Sequence, residues 1–157
     1  MIDLPFIDAH SIDVDADSTT TWQAVLAVAE RMASGRTSER FARAVGCEDT
    51  KPSGPRPLGE GSAIVGFHVA TAEPERELAL AGRHRFSNYA LVFRLERLDA
   101  QRTRVAAETW AAFPGGRGRI YRTLVIGTRG HVLAVRRMLR AIEARAERAA
   151  PGRDRPA

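Results

Sequence analysis

The chain has 157 residues, 24 basic against 19 acidic side chains for a formal charge of +5, 44% hydrophobic residues and one cysteine. That apolar content is too high for a disordered chain and too evenly spread for membrane-spanning segments, and the length suits one compact domain with a real core. A lone Cys47 excludes an internal disulfide and a cysteine-built zinc site.

The opening MIDLPFID has no basic n-region and no long apolar run, so no secretory signal is expected and a cytoplasmic location is the default. Phe6 to Val14 alternates Ile12 and Val14 with polar partners and predicts a first strand. Asp15-Ala-Asp-Ser-Thr then offers helix N-cap residues, and Trp22, Val25, Leu26, Ala29 and Met32 recur at helical spacing. A second short helix is predicted from about Ser38 to Val45, stopping at Gly46. The stretch from Glu48 to Gly61 holds three prolines and three glycines and reads as an internal loop.

From Ser62 to Phe113 the period becomes two. Val65, Phe67 and Val69 share one face of a strand, and Thr71-Ala-Glu-Pro-Glu supplies a turn. Leu78, Leu80, His84 and Phe86 share the next face. After Ser87-Asn88 the apolar parity switches to Tyr89, Leu91, Phe93 and Leu95, which predicts a two-residue hairpin turn at Ser87-Asn88. Val105, Ala107, Thr109, Ala111 and Phe113 continue the odd face. Trp110 and Glu108 fall on the opposite, outer side unless a bulge intervenes.

Pro114-Gly-Gly-Arg-Gly ends this meander, and a long helix is predicted from near Arg119. Its apolar stripe runs through Tyr121, Leu124, Val125, Thr128, His131, Val132, Val135, Met138, Leu139 and Ile142. Residues 1–150 are expected to form the domain, with 151–157 a disordered tail. The predicted class is α+β: a curved antiparallel sheet gripping a long C-terminal helix, with two short helices after the first strand.

Three segments carry a family resemblance. DVDADSTTTWQAV looks like a strand-to-helix entry and RTRVAAETWAAF like a late strand. The Gly-x-x-Gly-x-x-Tyr and His-x-x-x-x-x-x-Met spacings within FPGGRGRIYRTLVIGTRGHVLAVRRML resemble an ending found in uncharacterised bacterial members. Together, from Phe6 to about Arg148, they resemble the helix-grip, START-like superfamily, which includes Bet v1-like and polyketide cyclase-like proteins. The resemblance implies a cavity between sheet and helix, and the superfamily's range of lipid carriers, cyclases and receptors leaves activity open.

The residues suggest what such a cavity would present. His84 on the sheet face and His131 on the helix stripe are the candidate acid–base groups, as base or as donor to a bound carbonyl. Tyr89, Thr109, Tyr121 and Thr128 supply polar tips, and Leu91 and Phe93 apolar wall. The leading expectation is binding of a small hydrophobic or aromatic molecule. The alternative is a polyketide cyclase-like enzyme, and the same side chains also suit plain core packing.

No metal is expected, because His10, His68, His84 and His131 lack ligand spacing, and no cofactor is called for. Cys47, beside Glu48 and Asp49, makes a poor thiolate. From Arg117 onward eleven arginines face three acids, a net of +8 that leaves −3 on the first 116 residues. This excess reads as the solvated side of the final helix. A third reading gives it to an anionic polymer or membrane surface, with no strong case for nucleic acid because exposed aromatics are not interleaved. The sequence does not indicate an oligomeric state.

Overall fold

The structure is a computed structural model and describes residues 4–32, 34, 36–114 and 130–150. Its elements are β1 (Phe6–Val14), α1 (Ser18–Met32), α2 (Arg36–Val45), β2 (Ala63–Ile64), β3 (Phe67–Glu73), β4 (Glu77–His84), β5 (Ser87–Arg97), β6 (Thr103–Ala112) and α3 (Gly130–Ala149). The predicted start of the last helix near Arg119, with Tyr121 and Thr128, lies outside the described residues.

All strand pairs are antiparallel, in the order β1-β6-β5-β4-β3-β2. The inner face carries Val14, Leu78, Leu80, Leu91, Phe93, Val105 and Ala107 into one buried cluster. That cluster also takes Trp22, Val25, Leu26 and Ala29 of α1 and Val135, Leu139, Ile142 and Ala146 of α3. The four α3 residues recur at intervals of four, three and four, which keeps one helical stripe against the sheet and α1. The predicted α+β architecture is therefore the observed one.

Local chemistry starts α1 where the sequence places it. Asp17 Oδ1 accepts the Thr20 amide N–H at 2.8 Å, and Oδ2 accepts the Thr20 hydroxyl at 2.8 Å. These bonds hold the Asp17 carboxyl below the usual carboxylate range. The hydroxyls of Ser18 and Thr19 donate to Glu75 at 2.6 and 2.7 Å, tying the helix start to the β3–β4 turn.

The β4–β5 hairpin departs from expectation. Its turn is Arg85-Phe86, with His84 paired to Ser87, so Leu80 faces Leu91 instead of Leu95. One tertiary and one local bond hold the turn away from Ser-Asn: the Arg85 N–H donates to the Val45 carbonyl at 3.3 Å, and the Phe86 N–H donates to His84 Nδ1 at 3.1 Å. The slip is by an even number of residues, so the apolar sets stay on the inner face. The strand expected from Ala63 to Thr71 is also interrupted, at Gly66, whose φ of 84° few side chains tolerate.

That interruption is locked by an aromatic clamp. The Tyr89 hydroxyl donates to the Gly66 carbonyl at 2.6 Å, and its ring meets Phe67 edge-on at 5.1 Å between centroids. Tyr89 lies across its strand partner Gly82, where a Cβ would come within 2.5 Å of the ring and also overlap the Gly66 carbonyl. Gly82→Ala is therefore expected to destabilise the fold by about 1–3 kcal/mol through overpacking. Chemical denaturation checks this; a variant as stable as the parent shows that the clamp does not constrain β4.

Candidate functional site

Among the described residues β1 is an edge strand, paired only with β6, and its pairing is irregular between Phe6 and Asp8. Regular alternation puts both residues on one face. The bulge at that point instead pairs Phe6 with Trp110 and Asp8 with Thr109. Phe6 thus turns outward, its ring 5.2 Å from that of Trp110 in a T-shaped contact. The Trp110 indole N–H donates to Glu108 Oε2 at 3.3 Å, and Glu108 in turn accepts from Arg94 Nε at 3.1 Å. Trp110 and Glu108 stand on the outer face, as parity predicts.

Asp8 and His10 keep the even parity of Ile12 and Val14, and that parity turns both toward the inner face. There they meet α3. Asp8 Oδ2 lies 3.0 Å from His131 Nε2 in the first turn of that helix and 3.4 Å from His10 Nε2. The side chains are half-buried, His131 the most enclosed at 14% exposure. Thr109, the partner of Asp8 on β6, completes the group.

Three polar atoms of this cluster, Asp8 Oδ1, His10 Nε2 and Thr109 Oγ1, are buried without a hydrogen-bond partner among the described residues. The 3.4 Å approach of His10 to Asp8 is too poorly directed to count as one. A buried polar atom left unpaired costs about 1–3 kcal/mol, so three within one cluster leave hydrogen-bonding capacity concentrated at one place. Among the described residues no set of three or more His, Cys, Asp or Glu side chains is arranged to hold a metal ion.

The other expected site residues distribute as follows. Leu91 and Phe93 are fully packed on the inner face, between Leu80 and Leu78 on one side and Thr109 and Ala107 on the other. Tyr89 commits its hydroxyl to Gly66, and His84 sits beside it with ring centroids 5.3 Å apart. His84 and His131 approach the sheet over different strands: β4, which carries His84, stands three steps of about 4.8 Å from β1.

Asp8 and His10 escape a reading that rests the first strand on its apolar residues. Their shared parity with Ile12 and Val14 is the signal that finds them. Cys47 Sγ lies 3.8 Å from the Tyr89 hydroxyl; burial, with the charge of Asp49, pushes its thiol up.

No protein-family model matches the chain, and no curated protein matches it. Solved structures do. Zhui aromatase/cyclase from Streptomyces sp. R1128 aligns at 16% identity and a TM-score of 0.55, over 92% of this chain and 94% of that one. A point mutant of norcoclaurine synthase from Thalictrum flavum, in complex with a transition state analogue, aligns at 12% identity and 0.53, over 95% and 99%. A polyketide-cyclase-like protein from Corynebacterium glutamicum aligns at 15% identity and 0.52, over 96% of each chain. At these identities the likeness is one of fold, and the chain has the helix-grip, START-like (Bet v1-like) fold.

Burial lowers the pKa of His84, so its imidazole stays neutral, with Nδ1 accepting from Phe86. An unfolded chain takes up this proton near pH 6.5 before the folded one does, so stability is full above that pH and falls as the pH drops through the folded-state value. His84→Gln is expected to flatten that decline. Denaturation midpoints measured at about pH 7.5 and about pH 5 check this; an equal loss in parent and variant removes His84 as the cause.

Proposed function

We propose that the chain binds a small, mainly apolar molecule between the inner sheet face and α3, and that the molecule carries a hydroxyl or phenol against Asp8, His10, Thr109 and His131. The observation behind this is the set of unpaired buried atoms, Asp8 Oδ1, His10 Nε2 and Thr109 Oγ1, among apolar side chains. A carboxylate oxygen needs a donor, whereas a threonine hydroxyl can give or accept. A group that both donates and accepts satisfies them together, and a hydroxyl is the smallest that does so. Leu91, the strand partner of Thr109, is the adjacent apolar side chain on β5, and Phe93 packs in the core beside it. Tyr121 and Thr128 belong to the same proposal from the sequence pattern alone.

One pair of naphthalene probes separates this from plain packing. Binding of 2-naphthol by the full chain is expected to be about 10- to 100-fold tighter than that of naphthalene, the worth of a hydrogen bond to a charged group. Asp8→Asn is expected to erase most of the difference. Titration calorimetry or displacement of an apolar fluorophore reads both constants. Equal binding of the two probes, or binding of neither, overturns the proposal.

The contact of His131 with Asp8 favours a second reading, a polyketide cyclase-like enzyme. A carboxylate 3.0 Å from Nε2 orients the imidazole, the arrangement in which a carboxylate supports a general base. His84 suits that role less, because its Nδ1 already accepts the Phe86 amide. With a poly-β-carbonyl substrate, His131→Ala and Asp8→Asn are each expected to lower turnover about 100-fold or more, within the range of general base catalysis. Full turnover in His131→Ala removes this reading.

A further inference from the structure

Five arginines of the sheet and its turns are matched to acids: Arg94 to Glu77 and Glu108, Arg104 to Asp13 and Glu96, Arg102 to Asp99, Arg76 to Glu73 and Arg83 to Glu48. Arg31 of α1 and Arg137, Arg145 and Arg148 of α3 are exposed and make no ion pair among the described residues. These four line one groove of about 540 Å³ between the two helices.

The floor of the groove is apolar, formed by Val28 and Met32 of α1 and by Ala134, Met138, Ala141 and Ala144 of α3. It lies on a different side of α3 from the buried stripe of Val135, Leu139, Ile142 and Ala146. Leu133, 72% exposed, lies one helical turn before Arg137 on α3. A second hollow of about 590 Å³, along Thr20, Gln23, Ala27 and Glu30, shares Arg145 and Arg148 with the groove.

We infer that this groove is a docking site for an acidic amphipathic helix of a partner protein. Three features select that occupant. Ala134 to Arg148 spans about 21 Å at 1.5 Å per residue, the length of a four-turn helix. Small and thioether side chains on the floor admit a neighbouring helix closely, as in helix-in-groove recognition. The four arginines at the rim then meet carboxylates on the flanks of the incoming helix, giving orientation and charge-steered association. The floor offers no aromatic ring for a base to stack on, and it is recessed between two helices, which suits a helix better than a flat bilayer.

The test uses the full chain and a fluorescein-labelled sixteen-residue peptide with leucines on one helical face and glutamates on the other. Fluorescence anisotropy is expected to show saturable binding that weakens at least tenfold for a scrambled peptide of the same composition and for Arg137→Glu/Arg145→Glu. Arg137→Gln/Arg145→Gln is expected to fall between. Circular dichroism and the thermal midpoint confirm that each variant is folded, and both arginines are exposed enough to be replaced. The inference is overturned if the peptide does not bind, or if scrambled and lysine-substituted versions bind as well. It is also overturned if phosphatidylglycerol vesicles or a 20-base-pair DNA duplex bind the chain at least tenfold more tightly than the peptide does.

Discussion

A six-stranded antiparallel sheet with one apolar face folds in water only if that face is covered, and here a single stripe on α3, supported by α1, provides the cover. The other arrangements follow from that requirement. Because α3 lies over the inner face, its first turn must pass above the β1 edge, which brings His131 to Asp8. The side of α3 turned from the sheet is left to solvent, and there the unmatched arginines accumulate. Covering the sheet thus produces two chemically different surfaces on one helix: an inner one where polar groups are few and buried, and an outer one where they are many and wet.

Much of this organisation is legible in the residues. Period-two runs from Val65 to Phe113 give the faces correctly, because burial on one side of a sheet leaves a parity that local errors do not erase. The misplaced hairpin illustrates the point. Ser87-Asn88 has turn chemistry, yet the actual turn at Arg85-Phe86 is held by the adjacent His84 ring and by the end of α2, the latter a contact that no local pattern encodes. An even-numbered slip changes every partner and no face. The break at Gly66 is equally non-local, since the hydroxyl that secures it comes from Tyr89.

The candidate site was only half visible for a related reason. His131 stands out as a polar residue on an apolar helical stripe, and Thr109 as one on an apolar strand. Asp8 and His10 lie at the polar end of β1, where the apolar alternation has already faded, and the bulge before Asp8 breaks the pairing that would extend the pattern to Phe6. Conversely His84 and Tyr89, prominent by parity, turn out to be occupied by the hairpin and the Gly66 clamp. A chemical residue type on an inward position identifies a face; which of its atoms are already bonded depends on neighbours brought in from elsewhere in the chain.

The contact between Asp8 and His131 joins residues 123 apart in sequence, one on an early edge strand and one on the last described helix. Closing so long a loop carries an entropic cost that earlier, more local pairings such as β4 with β5 do not share. The cluster therefore depends on the whole sheet and α3 being in place and on no local element alone. If the proposed molecule binds there, it fastens the first strand to the last described helix and adds stability by mass action.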